Sequence, residues 1–126
     1  IIQMPDRERF LGSETSTATE AYWSTLLHEL AHWSGASNRC DRQFGKRFGD
    51  DAYAMEELVA ELGAAFLCAD LGVTLEPRPD HAAYLDNWLK VLKADKKAIF
   101  TAASQAARAS DYLTGLQPAD ITEAAA

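Results

Sequence analysis

This sequence is short of cysteine, histidine and positive charge, and it has no long apolar run. Its two cysteines, Cys40 and Cys68, show no CxxC spacing, which argues against a disulfide framework and makes a reducing cytoplasm the default compartment. Cys68 falls within an apolar helical pattern and reads as a buried thiol. No apolar stretch approaches the roughly 18 residues that a membrane span needs. Lys and Arg number 12 against 19 Asp and Glu, a net charge of -7, which argues against a grip on nucleic acid through its phosphates. The cations fall mainly in two groups, Arg39 to Arg47 and Lys90 to Lys97, and read as solvated charges on a loop and a helix. The start, Ile1-Ile2-Gln3-Met4-Pro5, lacks the basic region and apolar core of a signal peptide. It reads as a strand cut from a longer chain, so upstream sequence is expected. What remains is 126 residues, about half apolar and a quarter charged, the length and composition of one soluble globular domain.

Along the chain, residues 1–4 read as a short strand ended by Pro5. Residues 6–16 read as a loop anchored by Phe10 and Leu11. Thr17 followed by Glu20 is a capping-box pattern, so a helix is expected over 18–34, with Trp23, Leu26, Leu27, Leu30 and Trp33 on its apolar side. Gly35 supplies its stop. Residues 36–51 read as a loop, and a second helix is expected over 52–71, stopping at Gly72. Pro77 and Pro79 mark an extended connector over 73–80. Asp80 can cap a helix over 81–94, and an alanine-rich helix follows over 95–113. Residues 1–113 then form one domain, and 114–126 a flexible tail.

His28-Glu29-Leu30-Ala31-His32 is an HExxH motif on the first helix. Residues four apart lie nearly above one another, so His28 and His32 present two imidazoles to a single ion. Glu29 is turned about 100° away, which places its carboxylate beside a metal-bound water rather than on the metal. Zinc lowers the pKa of that water, and the glutamate can take its proton. The motif uses two of only three histidines.

A catalytic zinc normally takes three protein ligands. The extended pattern HExxHxxGxxH accepts Gly35 but fails at Asn38. On the second helix, Met55, Leu58, Val59, Leu62, Ala65, Phe66 and Ala69 share one arc, at about 100° per residue. Glu57, Glu61, Ala64 and Cys68 occupy the opposite arc. Such a helix is apolar nearly all round and should be central. Glutamates there are costly unless paired or metal-bound. Glu57 is expected to coordinate the ion, and Glu61 to accept a hydrogen bond from the second ring nitrogen of His28. Glu56 is the alternative ligand, because a one-residue error in helix phase exchanges the two. For stabilising an oxyanion, the candidates are His81, Tyr84 and Tyr53. For His81 a capping or packing role beside Asp80 competes. Trp88 is expected in the core.

Taken together, Leu26-Leu27-His28-Glu29-Leu30-Ala31-His32-Trp33, Phe48-Gly49, the run from Tyr53 to Leu67, His81-Ala82-Ala83-Tyr84, Trp88-Leu89 and the run from Asp95 to Phe100 resemble a known family. It is the C-terminal zincin-like metallopeptidase domain of ArdC-type antirestriction proteins, carried by conjugative plasmids and phages. The resemblance spans Met4-Pro5 to about Leu113. It implies a predominantly helical α+β fold of the gluzincin kind, with a small sheet edge and a glutamate as third ligand to one catalytic zinc ion. It also implies peptide-bond hydrolysis in the protection of mobile DNA from host restriction, with a protein or peptide as substrate. Single-stranded DNA would be bound only through an N-terminal domain missing here. Ala36 stands where relatives often carry histidine, so any substrate contact from that position is lost. The rival expectation is a non-catalytic, metal-stabilised module that protects DNA or blocks a restriction protein by contact. Glu29 favours the enzyme, since a structural metal site has no use for an acid there.

Overall fold

The computed structural model of the chain describes residues 1–73 and 82–118, the side chains of 82–85 excepted. Among the described residues, five helices follow in order: α1 (Ala18–Trp33), α2 (Gly45–Phe48), α3 (Ala52–Leu71), α4 (Ala82–Ala94) and α5 (Ala98–Gly115), with 3-10 turns at Arg7–Arg9 and Gly49–Asp51. Among the described residues there is no strand, and residues 1–4 carry no regular structure. The expected sheet edge is therefore not found. A strand needs a neighbour for its N–H and C=O groups, and the described residues supply none. The Asp80 cap and all of the 73–80 connector but Val73 lie outside the described residues.

Helix α1 starts where its capping box predicts. The Glu20 N–H donates to Thr17 Oγ1 at 3.1 Å, and the Thr17 N–H donates to Glu20 Oε1 at 3.3 Å. Its buried stripe is Ser24, Leu27, His28 and Ala31, spaced i, i+3, i+4, i+7. The histidine side of the helix thus turns inward, while Trp23, assigned to the apolar side, is 41% exposed.

Helix α3 is central, as its composition demands: it packs most extensively against α1 and α5, and also against α4 and α2. Only part of its expected apolar arc is buried. Glu57, Glu61, Ala64 and Cys68 are buried, whereas Ala65, Phe66 and Ala69 are exposed. The apolar arc is covered only over the first half of the helix, where Met55, Leu58 and Val59 meet Trp88 and Val91 of α4. Gly72, with φ of 67°, ends α3 in the left-handed conformation that glycine adopts without penalty.

Small residues set the helix spacing. Ala98, Ala102, Ala106 and Ala109 are fully buried along one side of α5. A Cβ at Gly63 would lie 3.3 Å from Ala31 Cβ and 3.8 Å from the Ala106 carbonyl. α3 is therefore held close to α1 on one side and to α5 on the other. That close approach lets a short glutamate side chain on α3 reach imidazoles on α1. Cys40 and Cys68 are both buried and outside any disulfide.

Candidate metal centre

His28 and His32 lie one turn apart on α1 and face Glu57 on α3. The two Nε2 atoms are 3.1 Å apart. Glu57 Oε1 lies 3.1 Å from His32 Nε2, and Glu57 Oε2 lies 3.5 Å from His28 Nε2. Donors bound to one ion at about 2.0–2.1 Å in a tetrahedron would stand about 3.3–3.4 Å apart. The donor triangle therefore has the size that a single divalent ion requires, and two imidazoles with a carboxylate form a donor set such an ion accepts. Among the described residues, His28, His32 and Glu57 are the group able to hold a metal ion. Asn38 is exposed in the turn after α1 and is not in this group.

Charge in the metal-free site is governed by a contest between burial and pairing. Burial opposes the charged form of His32, but hydrogen bonding to Glu56 and Glu57 outweighs it and raises the ring to about 9. Burial likewise works against charge on His28, while Glu57 and Glu61 raise it. For Glu57, burial pushes the carboxyl up, and the two imidazoles overcome this and hold it at about 2. The result is a compact set of opposite charges in which the His32 ring holds a proton that a metal ion would displace.

Each imidazole also has a carboxylate behind it. Glu61 Oε1 lies 3.0 Å from His28 Nδ1. On the other side, Glu56 Oε1 lies 3.3 Å from His32 Nδ1. Glu56 is thus placed behind His32, outside the donor triangle. Burial raises the Glu56 carboxyl, yet its bonds to Arg42 and then to His32 bring it below the ordinary value.

Arg42 is the residue that sequence reasoning missed. It belongs to the group read as solvated charge, but only 1% of its side chain is exposed. Arg47, from the same group, is exposed and pairs with Asp95 at 2.7 Å. One signal was available: α3 carries Glu56, Glu57 and Glu61 in an otherwise apolar helix, and two histidines are too few cationic partners for three buried or half-buried acids.

Glu29 is half-buried and lines an open cavity of about 450 Å³ together with His28, His32, Tyr53, Glu56 and Glu57. A neighbouring cavity of about 420 Å³ shares Glu29 and His32 and adds Ile2, Trp33, Ala36 and Arg39. Glu29 thus stands in an open groove beside the donor triangle. Ala36, the position of the expected departure, faces that groove. Tyr53 lines the metal cavity and is 67% exposed. His81 and the side chain of Tyr84 lie outside the described residues.

Residues 1–105 match the sequence model of a family described as zincin-like metallopeptidases. The chain is 52% identical over 116 residues to the uncharacterised protein y4eC of Sinorhizobium fredii, which covers 92% of this chain and 36% of that protein. It is 37% identical over 122 residues to a DNA primase TraC of Escherichia coli, covering 97% of this chain and 11% of the primase. In three dimensions it resembles the antirestriction protein ArdC of plasmid R388. The Mn(II)-bound crystal structure of ArdC superposes with a TM-score of 0.66 at 45% identity, covering 76% of this chain and 36% of that one. The metal-free form gives a TM-score of 0.65 at 44% identity, over 75% and 34% of the respective chains. The chain thus spans little more than a third of these relatives at most.

Proposed function

The chain belongs to the zincin-like metallopeptidase family, and from that premise we propose that it hydrolyses peptide bonds at a divalent metal, zinc, held by His28, His32 and Glu57. The observation that carries this reading is the donor triangle with Glu29 beside it in the same open cavity. The ion, when bound, would acidify a water and polarise the scissile carbonyl. Glu29 takes the proton of the attacking water and returns it to the leaving amine. Glu57 supplies the anionic ligand, and Glu61 holds the His28 ring in place through Nδ1. Tyr53 is the oxyanion donor best supported by its position on the metal cavity, with His81 and Tyr84 as the other candidates. The substrate is a protein or peptide lying in the groove on either side of Glu29.

The setting we assign is antirestriction of mobile DNA, on the likeness to ArdC of plasmid R388. Contact with single-stranded DNA is assigned to a domain outside this chain, in keeping with the chain's net charge of -7. A reducing cytoplasm is the compartment in which cysteines outside any disulfide, such as Cys40 and Cys68, persist. No described helix is long and apolar enough to cross a membrane. The second reading, a metal-stabilised module that acts by contact alone, draws on relatives named as antirestriction protein and primase rather than as peptidases.

Metal content and hydrolysis of a broad peptide library by wild type, Glu29→Ala and Glu57→Ala separate the two. Glu29→Ala should keep the metal and lose turnover, and Glu57→Ala should lose metal affinity. Normal zinc binding by Glu57→Ala would falsify the ligand assignment. A metal-loaded wild type that cleaves nothing in the library favours the contact module.

A further inference from the structure

Arg42 is buried and charged, so its donors and its charge must be satisfied within the protein. Its bonds run to two places. At the end of α1, Nη2 donates to the Ala31 carbonyl at 2.6 Å and Nη1 to Ser34 Oγ at 2.8 Å. On α3, Nε and Nη2 donate to the two oxygens of Glu56, at 2.9 Å and 2.6 Å respectively. The Glu56 oxygen nearest His32 Nδ1, at 3.3 Å, is the one that Nη2 holds.

We propose that Arg42 is a positioning residue for the metal centre: it locks the Glu56 carboxylate, and Glu56 in turn fixes the His32 ring with Nδ1 protonated and Nε2 towards the ion. The inference rests on the reading of His28, His32 and Glu57 as a metal site. It assigns His32 a support that runs through Glu56 on α3 to Arg42, which also bonds the end of α1.

Three features point to positioning rather than to packing alone. First, the Glu56 side chain is 26% exposed, against 5% for Glu61. A carboxylate open to solvent can rotate, and it lies next in sequence to Glu57, with which it could compete for the ion. The two-pronged guanidinium removes that freedom, because it engages both oxygens at once. Second, the same guanidinium holds the carbonyl of Ala31, the residue before His32. It therefore ties the backbone that carries the ring to the carboxylate that orients it. Third, room for the guanidinium is kept by Gly35, where a Cβ would lie 2.7 Å from Nη2. Outer carboxylates of this kind fix the tautomer of a ligand imidazole and raise its basicity, and their loss costs about 10- to 100-fold in metal affinity.

The test is Zn²⁺ affinity by chelator competition, with the Co²⁺ absorption spectrum as a second readout, for wild type, Arg42→Lys, Glu56→Gln and the double variant. Lysine keeps the charge and loses the fork. Glutamine keeps the shape and loses the carboxylate. Each single variant should weaken Zn²⁺ binding about 10- to 100-fold and alter the Co²⁺ spectrum. The double variant should lose no more than the weaker-binding single, because both act through one path. Additive losses, or unchanged affinity and spectrum with only a lowered melting temperature, overturn the relay and leave Arg42 a structural residue. Should Arg42→Lys not fold, Glu56→Gln decides alone: wild-type affinity overturns the proposal, and a 10-fold loss with an altered Co²⁺ spectrum supports it. A folded wild type that binds no divalent ion overturns the metal reading itself and this inference with it. A wild type that binds metal beside variants that bind it equally well overturns the relay only.

Discussion

Replacing Gly35 by alanine tests the packing behind the metal centre without removing any charged group. Gly35 does not take a positive φ, so backbone freedom gives no reason for glycine here. On that ground alone Gly35→Ala should be neutral, or stabilising by about 0.4–1 kcal/mol through the unfolded chain. The surroundings demand the opposite. The added Cβ would stand 2.7 Å from Arg42 Nη2 and 3.0 Å from Cζ, where ordinary contact begins at 3.4 Å. The guanidinium must therefore retreat by about 0.7 Å, the difference between 3.4 and 2.7 Å. Bonds of 2.6 to 2.9 Å to Ala31, Ser34 and Glu56 cannot all stay within the usual range. Losing one or two charge-assisted bonds costs about 1.5–3 kcal/mol each. After the unfolded-state gain, the net loss is about 1–5 kcal/mol, or roughly 4–20 °C in Tm for a domain of this size. Thermal and urea unfolding of the metal-free protein measure it. The same change made in an Arg42→Met background should cost less than about 0.5 kcal/mol, since the clashing group is gone. A neutral or stabilising Gly35→Ala, or an equal cost in both backgrounds, refutes the reasoning.

Metal affinity should depend on pH through His32, whose ring stands at about 9 in the metal-free protein against 6.5 ordinarily. Its contribution to metal-free stability is complete below pH 6.5 and is lost as pH rises through about 9. A metal ion needs the neutral ring, so affinity should rise about tenfold per unit between pH 7 and 8.5. Proton release would be visible by calorimetry in buffers of different ionisation enthalpy, and a flat profile contradicts the charge assignment. Thr17→Ala removes one arm of the capping box and should cost about 1 kcal/mol in urea unfolding, with metal content unchanged. Met55→Ala, at a fully buried position, should cost about 2–5 kcal/mol. Phe66→Ala should cost clearly less despite its larger side chain, because Phe66 is 37% exposed; equal losses would contradict the observed facing of α3.

Local signals in the sequence carried over well into the structure. The Thr17–Glu20 pair set the start of α1, and Gly72 set the end of α3. HExxH at one-turn spacing put two imidazoles on one side of a helix. The apolar surroundings of α3 marked it as central and its acids as partnered. All of these depend on neighbours within a turn or two, where helix geometry alone fixes relative position.

Tertiary structure decided whatever depends on how helices cross. Glu57 rather than Glu56 joins the donor triangle because α3 meets α1 at a phase set by Ala31 against Gly63 and by the alanine side of α5. The phase of an isolated helix leaves that choice open. The expected apolar arc of α3 is left uncovered beyond Leu62 for the same reason: burial depends on which neighbours arrive. Gly35 ends α1 near the expected place, yet it is glycine to make room for a guanidinium. Arg42 could not be told from its solvated neighbours, because its buried partners lie on two different helices. Sequence periodicity fixes the direction of a side chain around its own helix axis, and packing alone fixes what that side chain meets.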